Sequence, residues 1–148
     1  MKAQKALERI FHEDQLLAII IRADFSEPGV HFFTGHEFSQ QLAYMQHPEG
    51  HVITPHVHKP APREVTYTQE VLFIRKGALR VDFYSNDQEY LESRVLNGGD
   101  AILLAGGGHG FEVLENLEMI EVKQGPYAGE EDKIRFVSKQ KASELILN

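Results

Sequence analysis

Three histidines and a glutamate stand at set intervals in the middle of the chain, and their types suit metal binding. His56 and His58 are two positions apart, so on an extended segment both rings project from the same face. Glu70 opens an apolar run, and His109 follows a cluster of glycines. Three imidazoles and one carboxylate on short strands are a suitable ligand set for a divalent transition metal. The chain has no cysteine, so the ligands must be nitrogen and oxygen atoms.

The residues around these four positions resemble the two motifs of the cupin family. The first motif, G-x5-H-x-H-x(3,4)-E-x6-G, is matched by Gly50, His56, His58, Glu70 and Gly77, except that eleven residues separate His58 from Glu70. The second, G-x5-P-x-G-x2-H-x3-N, is matched by Gly98, Gly106 and His109, with Leu104 and Val113 in place of the proline and the asparagine. The resemblance implies a site in which His56, His58, Glu70 and His109 bind one divalent metal ion, which could be Fe, Mn, Zn, Ni, Co or Cu.

Two residues compete for the carboxylate position of the first motif. Glu64 lies nearer to the family distance from His58, whereas Glu70 keeps the six-residue gap to Gly77. We prefer Glu70 for that reason, and Glu64 stays open as the alternative.

The pattern of short apolar runs predicts the elements that would position these side chains. Strands are expected at residues 16–22, 42–46, 51–54, 71–76, 79–84, 90–96, 101–104, 110–114 and 117–123. Gly/Asn turns lie between several of them, and a hairpin turn is expected at residues 115–116. Such a series is typical of a closed antiparallel barrel or jelly roll. The fold class predicted is therefore all-β, a double-stranded β-helix of the cupin type, with short helices at residues 3–12 and 138–147 and an edge strand at 134–137. The whole chain, 1–148, is expected to be a single domain with its barrel core at about 40–125.

Three further side chains are candidates for binding a substrate. The insertion at residues 59–67 should pass beside the mouth of the barrel, where Arg63 could bind a carboxylate or phosphate and Tyr67 could close the pocket. Arg63 could equally be a solvated loop charge. Phe111 shares a strand face with His109 and so is expected to face the cavity. Glu121 and Lys123 also share a face, either as a pair at the cavity edge or as a surface pair.

Composition limits the classes of partner. A net charge of −7 without a basic cluster argues against nucleic acid or an anionic membrane as the main partner, and the longest apolar run is too short to cross a bilayer. We expect a cytoplasmic homodimer that binds a small polar or anionic molecule. The resemblance leaves three functions open: a metal-dependent oxidoreductase or isomerase, a non-catalytic sensor, and a metal-free sugar-binding or epimerase-like cupin.

Overall fold

The computed structural model describes residues 5–148, which are mostly β, with 45% in strands and 5% helical. The eight strands in this part of the chain are β1 (Leu7–His12), β2 (Gln15–Ile21), β3 (Gly29–Phe32), β4 (Ala43–Gln46), β5 (Glu70–Tyr84), β6 (Tyr90–Asn97), β7 (Ala101–Leu104) and β8 (Gly108–Lys123). Short 3-10 helices span Gly129–Asp132 and Ala142–Glu144. Within residues 5–148 no helix has the length and apolar character needed to cross a membrane. The chain divides into two compact units, one formed by residues 5–25 with 68–148 and the other by Ser26–Tyr67.

The first unit is built on a strongly curled antiparallel sheet that forms a half-barrel. Its strands are ordered β1-β2-β7-β5-β6, and β8 pairs with β5. The apolar side chains inside the curl form one core, consisting of Ile10, Leu17, Ala18, Ile20, Leu72, Ile74, Leu79, Val81, Phe83, Leu96, Ile102 and Leu104. Burial of these side chains on adjacent strands is the main force that holds the sheet in its curled form.

The longest pairing in the sheet, β5 with β8, is bent in its middle. Three register shifts fall between Ile74 and Leu79. Gly77 lies at this point with a φ of 86°, a backbone conformation that favours glycine. A Cβ atom at Gly77 would lie 2.1 Å from the backbone oxygen of Asn116 on β8, so the strands approach too closely there for a side chain. Bulges of this kind bend a strand and increase its twist.

The second unit contains one two-stranded sheet, in which β3 pairs with β4 in the antiparallel sense. Phe33 donates a backbone hydrogen bond to Leu42, which extends the pairing beyond the strand ends. Residues 51–67 follow in an irregular, exposed conformation, without the strand predicted at 51–54. Pro55 directly follows the predicted strand and lacks the N–H group that would continue a ladder, which explains part of this difference.

The prediction of an N-terminal helix at residues 3–12 is wrong over residues 5–12. Residues 3 and 4 lie outside the part of the chain that the structure describes. Residues 7–12 form β1, whose Ile10 is buried and whose Phe11 is exposed. A helix of this length is marginal by itself in water. Pairing of β1 with β2, which is rich in isoleucine, decides the outcome in favour of a strand.

Three other predictions at the C-terminal side need correction. Residues 110–114 and 117–123 are parts of one strand, because Glu115 and Asn116 lie within β8 at the bend rather than in a hairpin turn. Only Ala142–Glu144 of the helix predicted at 138–147 is helical, and it is a 3-10 turn. No strand forms at residues 134–137, where Phe136 instead packs against Tyr84 with ring centroids 5.0 Å apart. The predicted strands at 16–22, 42–46, 90–96 and 101–104 are confirmed to within two residues at each end.

Candidate metal and ligand site

Glu70 and His109 meet inside the first unit although they lie far apart along the paired strands β5 and β8. In the register of that pair, Glu70 is opposite Lys123 and His109 is opposite Phe83, so the two residues belong to opposite ends of the ladder. The bend at Gly77 turns the strand pair back on itself. As a result Nε2 of His109 lies 3.3 Å from Oε2 of Glu70. The curl of the sheet therefore brings together two of the four predicted metal ligands.

The electrostatic surroundings of Glu70 favour its ionised form. Its carboxylate is largely buried, with 12% of the side chain exposed. The interaction with the His109 ring lowers the pKa of Glu70 below its usual value, and the nearby charges of Lys123 and Lys133 act in the same direction, against the opposing effect of burial. The side chain is therefore held as a carboxylate near neutral pH, the form that binds cations.

A second carboxylate is tied to Glu70 through a lysine. Nζ of Lys123 lies 3.6 Å from Oε1 of Glu70 and 3.1 Å from Oδ2 of Asp132. Asp132 also accepts a hydrogen bond of 2.5 Å from the Thr68 hydroxyl. Hydrogen bonds from Thr68 and Lys123 lower the pKa of Asp132, and the bond to Asp132 raises the pKa of Lys123. A row of alternating charges, from Asp132 through Lys123 to Glu70, thus leads to His109.

The candidate substrate-binding residues occupy different surroundings. Phe111 lies beside His109, with ring centroids 5.3 Å apart, in agreement with the predicted strand alternation. Arg63 donates a 3.3 Å hydrogen bond to the carbonyl of Ala61 in its own loop. Tyr67 is 78% exposed. Both of these loop residues belong to the second unit.

The remaining two predicted ligands, His56 and His58, also lie in the second unit. Both are exposed, and their ring centroids are 5.3 Å apart at an interplanar angle of 81°. Nδ1 of His56 lies 2.8 Å from the carbonyl oxygen of Thr54. The two rings are therefore neighbours, as their spacing of two residues predicts, although the segment is not a strand.

The donor atoms of Glu70 and His109 suit a divalent metal ion. Two adjacent ligands of an ion with bonds of about 2.1 Å lie about 3 Å apart at a right angle, close to the observed 3.3 Å separation of Oε2 and Nε2. An ionised carboxylate and an imidazole are also the donor types that such ions accept. No group of three or more His, Asp or Glu side chains arranged around a common metal position occurs within residues 5–148.

Comparison with protein-family models, curated proteins and solved structures finds no match to the chain. The site must therefore be interpreted from its own residues. Sequence reasoning missed Asp132, Lys133 and Thr68, which carry no motif and lie outside the apolar strand pattern. Lys123 was identified only by its position on the same strand face as Glu121, and the structure instead pairs it with Glu70 and Asp132.

Proposed function

We propose that this protein is a small jelly-roll protein of the cupin type that holds one divalent transition metal and binds a small polar or anionic metabolite at it. The observation that carries the proposal is the 3.3 Å contact between His109 and Glu70, two residues separated in sequence and brought together by the bent β5–β8 strand pair. An imidazole and a carboxylate that is kept ionised by its lowered pKa are both donor types that divalent transition metals accept.

The proposed ligands are Glu70 and His109 together with His56 and His58. The first two are supported by their contact, which is also the reason to retain Glu70 over Glu64. The paired histidines are supported by the order and spacing of the sequence alone. When bound, the metal would act as a Lewis acid that polarises an oxygen atom of the metabolite. The chain itself would hold that metabolite beside Phe111, whose ring is next to His109.

Metal content after loading and dialysis tests the proposal. Wild-type protein loaded with Mn²⁺, Fe²⁺, Co²⁺, Ni²⁺, Cu²⁺ or Zn²⁺ should retain about one ion per chain for at least one of these metals. Glu70→Gln and His109→Ala should each lower the affinity for that metal at least tenfold. His12→Ala is the matched control, since His12 lies at the end of β1 and has no place in the motif. Wild-type affinity in the Glu70→Gln and His109→Ala proteins would contradict the proposal.

The histidine pair is tested separately. His56→Ala and His58→Ala should lower metal affinity as His109→Ala does, with His36→Ala as the control from the same unit. Wild-type metal affinity in His56→Ala and His58→Ala would exclude these two histidines as ligands. It would leave Glu70 and His109, which are supported by their contact, as ligands.

A metal-free function is the second candidate, and the same contact favours it. A carboxylate beside an imidazole orients the ring and can support general acid–base catalysis. In that case a ligand found in a screen of sugars, nucleotide sugars and keto acids should bind equally well after treatment with a chelator. Loss of binding on chelation favours the metal-dependent function.

The proposal also includes a cytoplasmic location and a homodimer. An open β-sheet has strand edges to protect, and a second copy of the chain could cover them. Light scattering at micromolar concentration should report about twice the chain mass of 16.8 kDa. A monomer mass at that concentration contradicts the dimer.

A further inference from the structure

The charges next to the Glu70–His109 pair come close to balancing one another in the absence of a metal. Glu70 and Asp132 are the two carboxylates that contact Lys123, whose ammonium group lies 3.6 Å from the first and 3.1 Å from the second. Two carboxylates and one ammonium group leave a net charge of −1. A divalent ion bound through Glu70 and a neutral imidazole would change this sum to +1.

Lys123 is the positive group best placed to respond to that change. Its Nζ lies 3.6 Å from one oxygen of Glu70, while His109 faces the other oxygen. One quarter of the side chain is exposed, so its three N–H donors are not all enclosed by protein. Asp132 fixes its position through a contact of 3.1 Å, and Thr68 in turn holds Asp132. The lysine is thus oriented beside the pair without being fully enclosed.

The C-terminal segment is fastened to both ends of the β5–β8 strand pair. At one end Asp132 binds Lys123 and Thr68. At the other end Phe136 packs on Tyr84, close to Gly108. Lys133 lies between these two anchors, and its charge contributes to the lowered pKa of Glu70. The two anchors therefore hold residues 132–136 against the strands that carry Glu70 and His109.

We propose that Lys123 binds the anionic group of the ligand, a carboxylate or a phosphate, and that anion and metal bind cooperatively at this site. This inference rests on the proposed metal-dependent function. Without the metal, the surplus of carboxylates disfavours an anion. With the metal, the surplus of positive charge attracts one, and linkage requires that the anion in turn strengthens metal binding by the same factor. The inference assigns to Lys123 the role that the sequence suggested for Arg63.

Calorimetry with two probes, oxalate and inorganic phosphate, tests the inference on Mn²⁺-loaded and chelated protein. The Mn²⁺-loaded wild type should bind at least one probe about tenfold or more tightly than the chelated protein does. Lys123→Gln should lower that affinity about tenfold or more, the loss expected for a hydrogen bond to a charged group, while Mn²⁺ still binds. Lys123→Arg, which keeps the charge, should retain most of the affinity. Preference for oxalate or for phosphate identifies the anionic group.

Lys76→Gln is the matched control, because Lys76 is exposed near the bend of β5 and loses the same charge on substitution. It should leave binding of both probes unchanged. Wild-type anion affinity in Lys123→Gln, or equal anion affinity with and without Mn²⁺, would overturn this inference while leaving the metal site in place. Failure of the wild type to bind Mn²⁺ or any of the other divalent metals would instead overturn the proposed function and, with it, the cooperative anion site.

Discussion

Replacing Gly77 by alanine should destabilise the first unit, because this glycine allows the β5–β8 strand pair to bend. Two costs add. Its φ of 86° is a left-handed conformation that costs an L-residue about 1–2 kcal/mol. The new Cβ would also lie 2.1 Å from the Asn116 backbone oxygen, and relieving such an overlap in a packed structure costs about 1–3 kcal/mol. We therefore expect Gly77→Ala to lower the free energy of unfolding by roughly 2–5 kcal/mol.

A glycine with the same kind of φ but no close neighbour separates the two costs. Gly129 has a φ of 68°, and a Cβ atom there would find nothing within 4 Å. Gly129→Ala should therefore lose only the conformational part, about 1–2 kcal/mol. Gly125→Ala has neither a positive φ nor a close neighbour and should be nearly neutral.

Urea unfolding followed by circular dichroism measures all three variants against the wild type. Metal affinity of Gly77→Ala should fall as well, since the bend brings Glu70 and His109 together. If Gly77→Ala unfolds at the same urea concentration as Gly129→Ala, the close approach to Asn116 has no energetic weight, and the explanation of the bend is wrong.

Three further predictions concern other parts of the first unit. Asp100→Ala should cost on the order of 3 kcal/mol in urea unfolding, because it leaves the buried Arg22 without one of its carboxylates; an unchanged midpoint would show that this ion pair contributes no net stability. Phe136→Ala should lose about 0.5–1.5 kcal/mol of ring interaction with Tyr84, in addition to the stabilisation from its buried area. Proteolysis of the C-terminal segment should then become faster, and an unchanged cleavage rate would refute the anchoring role of Phe136. Stability should fall as the pH is lowered, because Glu70 has a lowered pKa in the folded state: its contribution is full above the ordinary value of 4.5 and is lost as the pH falls through the lower folded value. Glu70→Gln should flatten that part of the pH profile of the urea midpoint, and an identical profile would contradict the assignment.

The sequence alone determined the β character of the chain and most of its strand positions. Short apolar runs separated by glycine and asparagine predict strands, and β2, β4, β6 and β7 occur within two residues of their expected positions. It also singled out Glu70 and His109, because the type and order of these residues can be read directly from the chain. The metal, the metabolite, the dimer and the roles of His56 and His58 stay predictions.

The tertiary structure decided what depends on pairing between distant residues. Residues 7–12 have apolar positions compatible with either a helix or a strand, and the β2 edge determines that they form β1. Residues 115–116 were expected to form a hairpin turn, but they form the bulged middle of β8. A bulge and a turn both favour small or polar residues, so only pairing with the partner strand distinguishes them. The contacts of Lys123 with Glu70 and Asp132 could not be predicted, because they join β8 to the start of β5 and to the C-terminal segment. Local patterns specify which residues are available for chemistry, and the curl of the sheet determines which of them meet.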